Sequence, residues 1–106
     1  GVPMALFVGG IRTALRNLSD EPVRVVKFGG FAEVDGRYVL NTVTGQFFTP
    51  HEFVSWYGAP ADGWIPPGME VSDPDNYGGS PSLWAYYCET KSGQKFVTGR
   101  VLARRW

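Results

Sequence analysis

Turn signals punctuate this sequence at intervals too short for long helices. Asp35-Gly36, Thr44-Gly45 and Ser92-Gly93 each separate runs rich in β-branched and aromatic residues. Glycine in such a pair supplies the positive φ that a tight hairpin needs. With 14 glycines and 8 prolines spread over 106 residues, the chain suits many turns and short strands.

The runs at 31–34 and 37–40 flank Asp35-Gly36, the strongest hairpin signal in the chain. Residues 23–28 read as extended, and Gly29-Gly30 after them permits a bulge or sharp bend. A turn at Thr44-Gly45 leads to a further extended run at 46–48, completing an antiparallel meander. Residues 83–90 and 95–102 form a long hairpin about Ser92-Gly93. Pairing across those two residues sets Trp84, Tyr86, Cys88, Val97 and Val101 on one face, with Gly99 opposite Tyr86. Ala85, Tyr87, Glu89, Phe96, Thr98 and Arg100 then share the other face.

Two segments read as helical. Thr49-Pro50-His51-Glu52 is a capping box with proline at the first helical position. Phe48 and Phe53 can staple its entry, and Gly58 is a suitable stop. The helix at 50–57 carries Phe53, Val54, Trp56 and Tyr57, enough apolar surface to pack on the sheet. Met4, Phe7, Val8, Ile11, Leu15 and Leu18 recur at spacings of three and four, with Arg12, Arg16 and Asn17 opposite. That spacing predicts a helix over 10–18, while 4–9 is open to helix or strand. Gly9 and Gly10 weaken it by about 1 kcal/mol each. The fold class expected is α+β, mostly β: a bent antiparallel sheet or partly open small barrel of about five or six strands, with an N-terminal helix and one short helix. At this length a single domain spanning 1–106 is expected, with 1–3 a vector-derived remnant ahead of Met4. Residues 59–82 are a long Pro/Gly-rich loop, broken by a short strand near 69–71.

Charge and chemistry limit the function. Ten basic residues balance ten acidic ones. Residues 48–79 carry five acids and no Lys or Arg, whereas 80–106 carry five bases against Glu89 alone. No apolar run approaches the ~18 residues of a membrane span, so no membrane partner is expected. The lone Cys88 forbids an intrachain disulfide and fits a reducing, cytoplasmic compartment. His51 and Cys88 fall on the solvent side of a helix and on a core-facing strand, an arrangement unsuited to a nucleophile pair. Asp73-Pro74-Asp75-Asn76-Tyr77-Gly78 lacks ligands at the fifth and twelfth positions of a calcium loop. No phosphate loop, dinucleotide fingerprint, nucleophile elbow or Cys-x-x-Cys pair occurs. No catalytic residue, metal or cofactor is therefore assigned.

Three readings follow. The first is a non-enzymatic protein-interaction module, such as an adaptor, inhibitor or assembly subunit. It would bind another protein or a second copy through the aromatic, proline-rich loop, with Trp64, Ile65, Pro66 and Tyr77 as contacts. Trp64 and Ile65 would stand out of that loop as a rigid apolar prong. The second is nucleic-acid binding by the basic C-terminal hairpin, using Lys91, Lys95, Arg100, Arg104, Arg105 and Trp106, where cations hold phosphates and aromatics stack on bases. The third is a small-ligand pocket or an enzyme site between helix 50–57 and the sheet.

Overall fold

The computed structural model describes residues 3–9, 12–42, 44–74 and 83–101. In chain order these form β1 (Met4–Gly9), β2 (Arg12–Asn17), β3 (Val23–Val34), β4 (Arg37–Leu40), α1 (Pro50–Tyr57), β5 (Trp64–Ile65), β6 (Glu70–Asp73), β7 (Leu83–Thr90) and β8 (Lys95–Val101). The protein is mostly β, and every pairing is antiparallel. One sheet has the order β1-β2-β6. The other has the order β4-β3-β7-β8, with β5 added to the start of β3. The eight strands among the described residues exceed the five or six expected, because the N-terminal segment gives β1 and β2 and the 59–82 loop contributes β5; β6 forms where a short strand was expected near 69–71.

The N-terminal helix does not form. Residues 12–17 are a strand, and β1 pairs with β2 from Met4↔Asn17 to Gly9↔Arg12. The run instead folds back near its middle, and the strand buries Thr13 and Ala14, which lie outside the predicted apolar stripe, while Leu18 within it is exposed. Gly9 and Gly10, costly in a helix, sit at that middle. Thr13, Leu15 and Asn17 are buried while Arg12 and Arg16 are exposed. Asn17, expected on a solvent face, is wholly buried. Its Nδ2 donates to the carbonyls of Ile65 and Glu21, and its Oδ1 accepts from Ser19 N. It thereby ties β2 to β5.

The Asp35-Gly36 hairpin forms as expected, with φ of 51° and 77° at the two turn residues and Val34 paired with Arg37. The bend expected at Gly29-Gly30 is absent. Pairing runs unbroken there, and the bulge falls between Val25 and Lys27. Gly29 is small for another reason: a Cβ would come within 2.8 Å of Leu40 Cδ1.

The C-terminal hairpin forms in a different register. Its loop has three residues, with Gly93 at φ 97°, Gly93 N donating to Thr90 O and Thr90 N to Gln94 O. That is a turn closed by a left-handed glycine, one residue longer than a two-residue hairpin. The extra residue inverts β8 relative to β7. Phe96 and Thr98 therefore pair with Cys88 and Tyr86, and Val97 pairs with Tyr87. Gly99 lies opposite Ala85, where a Cβ would meet the Trp84 carbonyl at 2.9 Å.

Both sheets and α1 share one core. The capping box is complete: Glu52 N donates to Thr49 Oγ1 at 3.1 Å and Thr49 N to Glu52 Oε1 at 3.0 Å. Gly58 closes the helix in the left-handed region. Phe53 and Tyr57 of α1 are buried against Phe28, whose ring also meets Phe48, Trp56 and Tyr86 within 5.7 Å. Met4, Leu15 and Val71 from the smaller sheet complete the cluster.

Candidate binding face

The two faces of the five-stranded sheet differ in chemistry. Val23, Val25, Phe28, Tyr86 and Cys88 point into the core and are buried. The other face is built of two cross-strand rows. In the first, Arg24 pairs with Glu89 and Glu89 with Lys95. In the second, Lys27 pairs with Tyr87 and Tyr87 with Val97. Strict alternation would put residues 24 and 27 on opposite faces. The bulge at Val26 brings both outward.

Each row holds cations against aromatic rings. Lys27 Nζ lies 4.4 Å from the Phe47 ring centroid and 4.7 Å from that of Tyr87. Those two rings meet edge to face at 5.4 Å, so they form a corner with the ammonium group in it. Trp64 lies between the Arg24 guanidinium at 4.9 Å and Lys91 Nζ at 4.1 Å. The Asp62-Gly63 turn sets its place: Asp62 Oδ1 accepts from Trp64 N at 3.0 Å, Gly63 adopts φ 82°, and Trp64 then pairs with Arg24. Lys91 is held from the other side. Glu21 accepts from Ser92 N at 2.8 Å and from Ser92 Oγ at 3.1 Å. The backbone bond from Ser92 holds the Glu21 carboxyl below its ordinary range.

A groove of about 620 Å³ runs over this face, lined by Arg24, Lys27, Tyr87, Glu89, Lys95 and Val97, among others. Arg24 forms an ion pair with Glu89. Its Nε is buried with no hydrogen-bond partner, an unspent donor in the groove wall. Among the described residues no ion pair engages Lys27, Lys91 or Lys95. From the acidic segment, Glu70 pairs with Arg12 and Arg16 of β2.

The residues singled out from sequence are dispersed. Trp64 is half-buried between two cations, Ile65 is fully buried in the core, and Pro66 is exposed. The prong expected of Trp64 and Ile65 does not form, because β5 pairs with β3 and turns Ile65 inward. Tyr77 lies outside the described residues. Lys91 and Lys95 are exposed; Lys95 lines the groove and Lys91 sits over the Trp64 ring. The Arg100 backbone pairs with Trp84 in β8, and Arg104, Arg105 and Trp106 lie outside the described residues. Sequence reasoning missed Arg24, Lys27 and Phe47. The signal that could have found them is the pair of bases within the apolar run of β3, legible only once the bulge is placed.

The space between α1 and the sheet is filled, not open. Phe53 stacks on Tyr57 at 4.4 Å and Phe28 on Tyr86 at 5.5 Å. A chain of buried hydroxyls crosses it, with Thr13 Oγ1 2.8 Å from Tyr57 OH and Tyr57 OH 2.5 Å from Tyr86 OH. Burial, then the neighbouring Tyr57, push the Tyr86 phenol well above its ordinary value. Burial pushes the Cys88 thiol up to about 12, so it carries no thiolate at neutral pH. His51 is exposed in the first turn of α1. Among the described residues no three His, Cys, Asp or Glu side chains gather as a metal set, and no helix is long and apolar enough to cross a membrane. No family model, curated protein or solved structure matches the chain.

Proposed function

We propose that the protein is a non-enzymatic binding module whose recognition surface is the outer face of β3, β7 and β8, and that its partner is anionic. The observation that carries this reading is the pair of lysines that line one groove, Lys27 and Lys95, together with Lys91, exposed on the Trp64 ring that also meets the groove residue Arg24; none of the three is engaged by an ion pair among the described residues. Two of them rest on aromatic rings. Glu89, the one carboxylate in the groove lining, is taken by Arg24, and exposed ammonium groups outside ion pairs raise local anion concentration and steer association. A cytoplasmic setting accords with the free, buried Cys88. The test is calorimetric titration with long-chain polyphosphate at about 50 mM salt, where phosphate contacts are strongest. Binding is expected, and Lys27→Glu with Lys95→Glu should abolish it. Absence of binding, or binding indifferent to the charge reversal, overturns the reading.

A second reading, contact with another protein or a second copy near the proline-rich turn, is favoured by one observation. Pro66, Leu18 at 55% exposure and Met69 at 41% lie on a shared end of the molecule, joined by backbone bonds from Asn17 N to Met69 O and Gly68 N to Asn17 O. If that end is a self-contact, sedimentation will show a dimer that Leu18→Asp converts to monomer.

A further inference from the structure

We infer that the anionic partner of this face is single-stranded nucleic acid; the inference rests on the reading of the groove as an anion-binding surface. Charge alone would suit any polyanion, so the rings decide. Trp64, Tyr87 and Phe47 are all half-buried, with part of each ring left at the surface beside a cation. Such a pairing of planar apolar surface with ammonium groups has two uses at once. A phosphate draws the lysine off the ring, and a base takes the ring face that the lysine leaves. Lys27 is placed for this exchange, because its Nζ occupies the corner between Phe47 and Tyr87 and has no carboxylate partner among the described residues. Lys91 stands in the same relation to Trp64.

An acidic peptide would engage the lysines but would leave the vacated ring faces against carboxylates or water. A duplex keeps its bases stacked on one another, unavailable to rings on a sheet face. The two rows of this face lie about 7 Å apart along the strands, two residues at the rise of a β-strand. The first row offers one ring, Trp64, with Arg24, Lys91 and Lys95 about Glu89, and the second offers two rings, Phe47 and Tyr87, with Lys27. A flexible strand that splays successive bases matches that alternation, and a rigid rod does not. The groove has a volume of about 620 Å³ and carries Tyr87, Lys27 and Lys95 in its lining.

The experiment compares three probes on the wild-type protein by fluorescence anisotropy: a labelled oligothymidylate of about twelve nucleotides, an abasic strand with the same number of phosphates, and a polyglutamate peptide of matched charge. Three lysine–phosphate contacts imply a salt slope near −2, so affinity for the oligothymidylate should fall about 20-fold between 50 and 200 mM salt. The abasic strand should bind about tenfold or more weakly than the oligothymidylate, since stacking is lost. Tyr87→Leu should weaken the oligothymidylate by about tenfold and leave the abasic strand unchanged, which also shows that the variant is folded. Equal binding of the thymidylate and abasic strands overturns the nucleic-acid inference and leaves the anion-binding reading standing. Preference for polyglutamate overturns it in favour of an acidic protein segment. If none of the probes binds at 50 mM salt, both readings fall.

Discussion

Tyr57→Phe removes one oxygen atom from the centre of the core and little else. The ring keeps its contacts with Phe28 and Phe53. The hydroxyl it deletes is the middle of the chain from Thr13 to Tyr86, so two buried groups each lose a partner. A satisfied hydrogen bond is worth about 1 kcal/mol net, and a buried polar group deprived of its partner costs about 1–3 kcal/mol. Thr13 and Tyr86 also hydrogen-bond with each other, so neither is orphaned outright and Tyr57→Phe should cost about 2 kcal/mol. Tyr86→Phe removes the end of the chain and leaves the Thr13–Tyr57 bond intact, so it should cost about 1–1.5 kcal/mol. Once the Tyr57 oxygen is gone, deleting that of Tyr86 removes a group that has already lost this bond, and the double variant should lie within about 1 kcal/mol of Tyr57→Phe. Urea unfolding followed by tryptophan fluorescence reads all three. With a slope of about 1–3 kcal/mol/M for a small domain, the Tyr57→Phe midpoint should drop by roughly 0.7–2 M. Equal costs for the two single variants, summing in the double, would refute the reasoning, since each hydroxyl would then be satisfied independently of the others.

Alkali should unfold the protein in stages. The Cys88 thiol rises from 9.0 to about 12 on folding, so above pH ~9 the unfolded chain loses a proton that the native one keeps. Stability should fall by about 1.4 kcal/mol per pH unit up to pH ~12. Tyr86, raised in the same direction, steepens the loss above pH ~10. Urea midpoints at pH 7, 9, 10 and 11 trace this fall, and Cys88→Ala should flatten its first stage. Gly99→Ala forces a methyl group onto the Trp84 carbonyl and should cost about 1–3 kcal/mol, seen as a melting temperature lower by roughly 5–15 °C. Thr49→Ala removes the acceptor for Glu52 N and should cost about 1 kcal/mol, with loss of helical signal confined to α1.

What the sequence makes legible here is local chemistry. The capping box, its proline and Gly58 are read within ten residues, and Asp35-Gly36 within two, because every atom that decides them is nearby. The misreadings are all matters of register and distance. At the N-terminus the spacing of three and four mimics a helix face, and the strand is selected by pairing of β2 with β1 and with β6, remote in sequence. At the C-terminal hairpin, whether Gly93 closes a two- or a three-residue loop decides which face Phe96 and Val97 occupy. The binding face was half legible. Lys91, Lys95 and Trp64 were singled out from the sequence, but not together: Trp64 reaches Lys91 only through the pairing of β5 with β3, and Phe47 reaches Lys27 from a separate segment. Ile65 was misassigned because nothing near it announces its pairing with Val23.

β3 also governs the order in which this molecule can be made. Its first residue pairs with both Ile65 and Thr90, and its last third with β4. The β3–β4 hairpin closes at once, but the long flank of β3 waits for β7. A nascent chain therefore exposes an unpaired apolar edge from the time β3 leaves the ribosome until residue 90 emerges, the interval in which stray strand pairing is most costly. Such late closure places folding in the slower range set by distant contacts. The bulge at Val26 and the bases at Arg24 and Lys27 interrupt that waiting edge with a kink and with charge, two devices that keep open strands from pairing with the wrong chain.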